Sequence, residues 1–241
     1  MSEKGKGLRF GPLGTGTVHL CVDMQKLFDA GTPWATGWLR QVLPQVVRLC
    51  EAKTSRTIFS RFVPPQSSDD VSGAWRRYYR HWEQMTLEHI DPGLVELVDV
   101  LRIFVHPAVV LDKRTYSPWY GTELLPSLQS RQIDTIVISG GETDICVLAT
   151  VLGAIDAGFR VIVATDALFS SVNDTHDAII DFYHERLSEQ IEAAEVEEII
   201  DAWISYTVFL NNRKERGPRR DRLLRPTIAG GDKAPAPLLI A

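Results

Sequence analysis

The sequence predicts an α/β fold: a mostly parallel sheet flanked by helices. Three observations lead there. Short β-branched runs alternate with helical patterns along most of the chain. Those runs are apolar almost throughout instead of alternating with polar residues, which indicates burial on both faces. The 241 residues are 44% hydrophobic and 24% charged, an ordinary globular balance with enough apolar side chains for a sizeable core.

The elements follow in order. "TVHLCVDM" (17–24) reads as a buried strand and "GWLRQVLPQVVRLCEAK" (37–53) as a helix with Pro44 as an irregularity. Further strands are expected at "RTIFSRFV" (56–63), "AVVLDK" (108–113), "DTIVISG" (134–140) and "RVIVATDA" (160–167). Helical patterns fill the gaps at "PGLVELVDVLR" (92–102), "GTELLPSLQSR" (121–131), "DICVLATVLGAIDAG" (144–158) and "DTHDAIIDFYHERLSEQ" (174–190). Residues 64–91 are polar and aromatic and are expected to form an insertion or lid. Residues 1–16 are expected to be an N-terminal extension and 17–206 the main domain. The stretch 207–241, basic and then rich in Pro and Gly, is expected to be a tail or an arm that packs on another subunit.

Composition narrows the function classes. The net charge of −5 gives no reason to expect a nucleic-acid partner. Three cysteines, Cys21, Cys50 and Cys146, form no CxxC pair, which argues against a disulfide framework and a thiolate zinc site. The N-terminal residues lack a signal-peptide apolar region, and no apolar run reaches the roughly 18 residues of a membrane span. A cytoplasmic protein with free thiols is expected.

In parallel α/β sheets ligands gather at the carboxyl ends of the strands. That rule selects Asp23 after the first strand, Lys113 at the end of the third predicted one, and the Gly140-Gly141 turn after the fourth. The turn leads into a helix that carries Cys146 near its start, and the helix dipole favours thiolate there. Thr143 or Asp144 is placed to cap that helix. The glycines let backbone N–H groups turn toward an incoming carbonyl. Lys113 would lower the thiol pKa further, and Asp23 could take its proton. A lone cysteine is more often a small buried apolar side chain. Three complementary groups at three strand ends favour the nucleophile over that reading.

The motifs "CVDMQKLF" (21–28), "DKRTYSPWYGTEL" (112–124), "ISGGETDICVLATVLGAIDAGFRVIVATDA" (138–167) and "THDAIIDF" (175–182) resemble, in order and spacing, the isochorismatase-like cysteine hydrolases. The resemblance covers residues 17–206. It implies a three-layer α/β/α sandwich and a triad of Asp23, Lys113 and Cys146. It also implies a non-proline cis peptide at Gly141-Glu142 and an oxyanion hole made by the backbone N–H groups of Glu142 and Cys146. The cysteine argues against isochorismatase proper, whose vinyl-ether chemistry uses no such nucleophile. The Asp-x-His with which nicotinamidases bind a metal is missing from "SRFVPPQSS" (60–68), and His81 and His89 do not restore the spacing. No metal and no cofactor are expected. His19, His106, His176 and His184 are expected to be structural or exposed.

Candidate substrate-binding residues are Phe28, Arg61, Tyr116, Trp119 and Tyr120. Core packing is an equal alternative for each of the aromatics. Arg61 could pair with a substrate carboxylate or make a structural ion pair. Gln25 could hold the Asp23 carboxylate or the local backbone. Trp34, Trp38, Trp75 and Trp82 lie outside the motifs and could cover the pocket. The expected function is cleavage of a C–N bond in a small amide or ureido compound through a thioester. The alternative is a non-catalytic protein that binds a metabolite or partner in the same pocket. A homo-oligomer is expected.

Overall fold

The structure, a computed structural model, describes residues 7–29 and 31–203. The expected tail at 207–241, the end of the expected domain at 204–206 and residues 1–6 lie outside the described residues.

Among the described residues, six strands form one parallel sheet: β1 (Thr17–Val22), β2 (Thr57–Phe62), β3 (Val109–Lys113), β4 (Thr135–Gly141), β5 (Arg160–Phe169) and β6 (Ile191–Ala194), in the order β3-β2-β1-β4-β5-β6. The helices are α1 (Leu39–Ala52), α2 (Gly73–His81), α3 (Asp99–Arg102), α4 (Leu124–Ser130), α5 (Leu148–Asp156), α6 (Asn173–Glu185) and α7 (Val196–Ala202). β1 is central, and the strand order reverses beside it, between the β2–β3 and β4–β6 halves. Ligands of open α/β sheets bind at such a switch point.

Strand periodicity divides the interior between the two faces. Cys21, Phe59, Val137 and Ile162 point one way and pack with α1, α3 and α7 through Val46, Leu49, Leu101, Val196 and Ile199. Leu20, Ile58, Ile138 and Val163 point the other way and meet α4, α5 and α6 through Leu128, Val151 and Tyr183. The result is an α/β/α sandwich. In α1 the buried Leu39, Val42, Val46, Leu49 and Cys50 recur at helical spacing, and Pro44 stays inside the helix at the cost of a main-chain bond.

Two elements differ from the sequence reading. The helical pattern at 92–102 is not one helix. A short 3₁₀ turn at Pro92–Val95 gives way to an extended stretch in which Leu97 bridges Gln25, and only Asp99–Arg102 is α-helical. Main-chain pairing with the β1 end overrides the local pattern, for Lys26 N–H donates to Glu96 O and Val98 N–H to Met24 O. β6 was not foreseen; its four residues directly follow the long polar helical pattern. The N-terminal residues from Gly7 onward run along the β6 edge. Gly7 N–H donates to Ala193 O, Leu8 N–H to Glu198, and Arg9 and Phe10 N–H to the buried Glu192 carboxylate, which also pairs with Arg160.

Residues 64–91 form an insertion between β2 and β3 that includes α2. Tyr79 and Met85 anchor it in the core, and Trp75, Tyr78 and Trp82 form an aromatic wall with Trp34 through tilted and edge-on contacts.

Candidate active site

β1 ends at Val22, and Asp23 follows with φ of +50°, a left-handed conformation that aspartate tolerates better than most residues. Its N–H donates to Ser60 O at 3.2 Å, and the Ser60 hydroxyl donates to Oδ1 at 2.7 Å. Lys113, at the end of β3, places Nζ 2.6 Å from Oδ2, with both side chains fully buried. Nζ also donates to Thr115 O at 3.1 Å. The buried Cys146 side chain completes the group, close enough to Asp23 and Lys113 for each to influence its ionisation.

The turn between β4 and Cys146 is tightly determined. Gly140 has φ of +99°, and a Cβ there would sit 2.0 Å from Val22 O. A Cβ on Gly141 would strike the Phe169 ring at 2.5 Å. The Gly141–Glu142 peptide is cis. Cys146 then lies in a π-helical turn, Thr143–Val147, that precedes α5. Neither Thr143 nor Asp144 caps this turn, contrary to expectation. The Thr143 hydroxyl donates to Phe169 O at 3.1 Å, so the His176 Nδ1 at 2.9 Å must supply the proton of their mutual bond. Asp144 accepts from the Ser170 and Thr175 hydroxyls. Both residues clamp the Cys146 turn to β5 and α6 and the connection between them.

The electrostatics also depart from the sequence reading. Burial pushes the Cys146 thiol well above its ordinary range; Lys113 pulls it down, while Asp23 and Glu142 push it up. Burial therefore works against the thiolate that a helix N-terminus alone would favour. Burial opposes the charge on Lys113, but Asp23 and Cys146 outweigh it and hold the ammonium above its ordinary range.

A cavity of about 330 Å³ opens over Cys146, lined by Phe28, Pro33, Trp34, Ala35, Phe62, Tyr78, Trp82, Tyr116, Glu142, Ile145, Cys146 and Ser171. Burial raises the Tyr78 and Tyr116 pKa values, so both phenols stay neutral. Of the five substrate-binding candidates, Phe28 and Tyr116 stand in this wall. The other three stand elsewhere. Arg61 is held by Asp112 at 2.8 Å and Glu96 at 2.7 Å, a structural ion pair and not a free carboxylate receptor. Trp119 packs against Gly153 and Phe159, and its indole N–H donates to Thr150 O. Tyr120 is 75% exposed and borders a separate cleft beside Arg114. Gln25 serves the backbone: its amide bridges Phe62 N–H, Phe62 O and Val95 O.

The sequence motifs do not include Trp34, Tyr78 or Trp82, yet all three line the cavity. The signal for Tyr78 and Trp82 is the aromatic density of 75–82, "WRRYYRHW"; Trp34 has no comparable local signal. Among the described residues, no group of three His, Cys, Asp or Glu side chains is placed to hold a metal ion.

The isochorismatase domain model matches residues 17–195. The chain belongs to the isochorismatase family. Within the family, a maleamate amidohydrolase of Pseudomonas putida is 36% identical over 70 residues, 29% of this chain and 33% of that enzyme. An Arabidopsis thaliana "probable inactive nicotinamidase" is 28% identical over 68% of this chain and 86% of its own length. The match spans 46% of an uncharacterized isochorismatase family protein of Escherichia coli O157:H7 and 33% of the maleamate amidohydrolase, so this chain covers less than half of each. The fold is shared with a cysteine hydrolase from Pseudomonas syringae pv. phaseolicola 1448A, at a TM-score of 0.71, 23% identity, 81% coverage of this chain and 96% of that one.

Proposed function

We propose that the protein is a cysteine-dependent amidohydrolase acting on a small amide or ureido compound. The observation that carries this reading is the buried Asp23–Lys113 pair acting on a buried Cys146 in the wall of a cavity. Burial disfavours the thiolate, so activation is a proton transfer from Cys146 to Asp23 as substrate enters. The sulfur attacks the carbonyl carbon, and the C=O electron pair moves onto oxygen. The oxyanion is received by the backbone N–H groups of Glu142 and Cys146. Collapse breaks the C–N bond, and Asp23 returns its proton to the departing ammonia or amine. Water then attacks the thioester, giving its proton to Asp23, which passes it back to sulfur as the acid leaves. Lys113 balances the negative charge through every step.

Purified Cys146→Ala and Cys146→Ser should show no ammonia release from a panel of primary amides and ureido compounds that the native protein hydrolyses. A turnover-dependent mass increase should appear on Cys146 of the native protein. Activity retained in Cys146→Ala would overturn the mechanism.

A second reading, a binding protein without turnover, is favoured by the burial-raised thiol and by a relative whose name describes it as inactive. It predicts ligand binding without acyl adduct and no selective labelling of Cys146 by iodoacetamide near neutral pH.

A further inference from the structure

The amidohydrolase reading leaves the non-reacting part of the substrate undefined, and the cavity wall speaks to it. Six aromatic side chains line the space: Phe28, Trp34, Phe62, Tyr78, Trp82 and Tyr116. One carboxylate joins them, that of Glu142, whose Oε1 accepts Ser171 N–H at 2.9 Å. Among the described residues lining the cavity there is no Lys, Arg or His. The nearby ammonium, Lys113, is buried outside the cavity lining and neutralised by Asp23 at 2.6 Å. The one guanidinium expected to receive a substrate carboxylate, Arg61, is committed to Asp112 and Glu96.

A carboxylate entering this cavity would lose its water and find no cation, next to a charge of its own sign. An ammonium would meet the negative faces of tryptophan and tyrosine rings and the Glu142 carboxylate. Resting on the amidohydrolase reading, we infer that the substrate is an amide whose remote arm is cationic, a substituted ammonium, and that Glu142 is a specificity-determining residue for that arm. The aromatic wall supplies surface for the alkyl groups around the nitrogen, and Glu142 supplies the opposite charge.

The test uses three small amides: trimethylammonioacetamide, its uncharged isostere 3,3-dimethylbutanamide, and succinamate. Binding is read in the Cys146→Ser variant by calorimetry and by quenching of tryptophan fluorescence, and kcat/KM is read in the native protein. The cationic amide should bind and turn over best, the isostere about tenfold less well, and succinamate at least about 100-fold less well. Glu142→Gln should reduce the cation-to-isostere ratio by about tenfold, whatever it does to the absolute rates. Equal binding of cation and isostere, preference for succinamate, or no binding of any of the three would overturn the inference. Ordered binding without turnover in the native protein would support it and sink the amidohydrolase reading instead. Turnover without that order would do the reverse.

Discussion

Removing the charge on Lys113 isolates the energetics of the site. Lys113→Met keeps the length of the side chain but strands the Asp23 carboxylate, which is 0% exposed. At 2.6 Å the pair attracts by about 6 kcal/mol if the effective dielectric is about 20. Desolvation of both ions offsets much of that, so the net value of the pair is small, yet breaking one half of it costs about 3–5 kcal/mol. Asp23→Asn, which strands the ammonium, should fall in the same range. The double variant, with neither charge, should recover most of the loss and unfold within about 1–2 kcal/mol of the native protein. Urea denaturation of the four proteins gives the coupling energy directly. Single-turnover acylation should behave differently: the double variant should be little slower than either single, because the groups act as one unit. Strictly additive stability losses would refute the argument, and near-native acylation in Asp23→Asn would remove Asp23 as the proton carrier.

Other outcomes follow from the surrounding structure. In Gly153→Ala the new Cβ would lie 2.1 Å from Trp119, a ring fixed by its bond to Thr150 and its stacking on Phe159. The overpacking, about 1–3 kcal/mol, should outweigh the gain in helix propensity and lower the melting temperature by several degrees; an unchanged or raised value would refute the fixed ring. Burial lowers the His176 pKa in the folded state, so the unfolded chain takes up its proton more readily. The stability it supports is present above the unfolded pKa of about 6.5 and lost as pH falls through and below it; His176→Gln should flatten that slope, and identical slopes would count against the argument. Dialysis against a strong chelator should leave amide hydrolysis unchanged, and a loss restored by zinc or iron would overturn the metal-free mechanism.

The residues brought together around Cys146 were legible because each ends, or directly follows, a strand, and parallel topology brings strand ends to one edge. What the sequence could not convey were distant partners. Arg61 looked available because Asp112, its neighbour in the β2–β3 register, lies 51 residues away. The seat of Trp119 depends on the bare backbone of Gly153, which no local pattern advertises. Trp34, Tyr78 and Trp82 sit in irregular or short elements whose direction is set by packing, so their joint presence in one wall emerges only in three dimensions. The thiol's elevated pKa was hidden for a related reason. The helix-start argument considers one favourable dipole, whereas burial of the whole site supplies the larger, opposing effect.

The strap of N-terminal residues along β6 bears on how the chain is made. Leu8 and its acceptor Glu198 are 190 positions apart, and Gly7 bonds to Ala193. At ribosomal speeds of about 5–20 residues per second, the strap waits about 10–40 s after its own synthesis before its partners exist. Until then β5 presents an unpaired edge, the kind of surface on which nascent chains associate wrongly. A chain stalled before Ile191 would already hold Asp23, Lys113 and Cys146, yet it would lack the strand and strap that close the sheet beside β5.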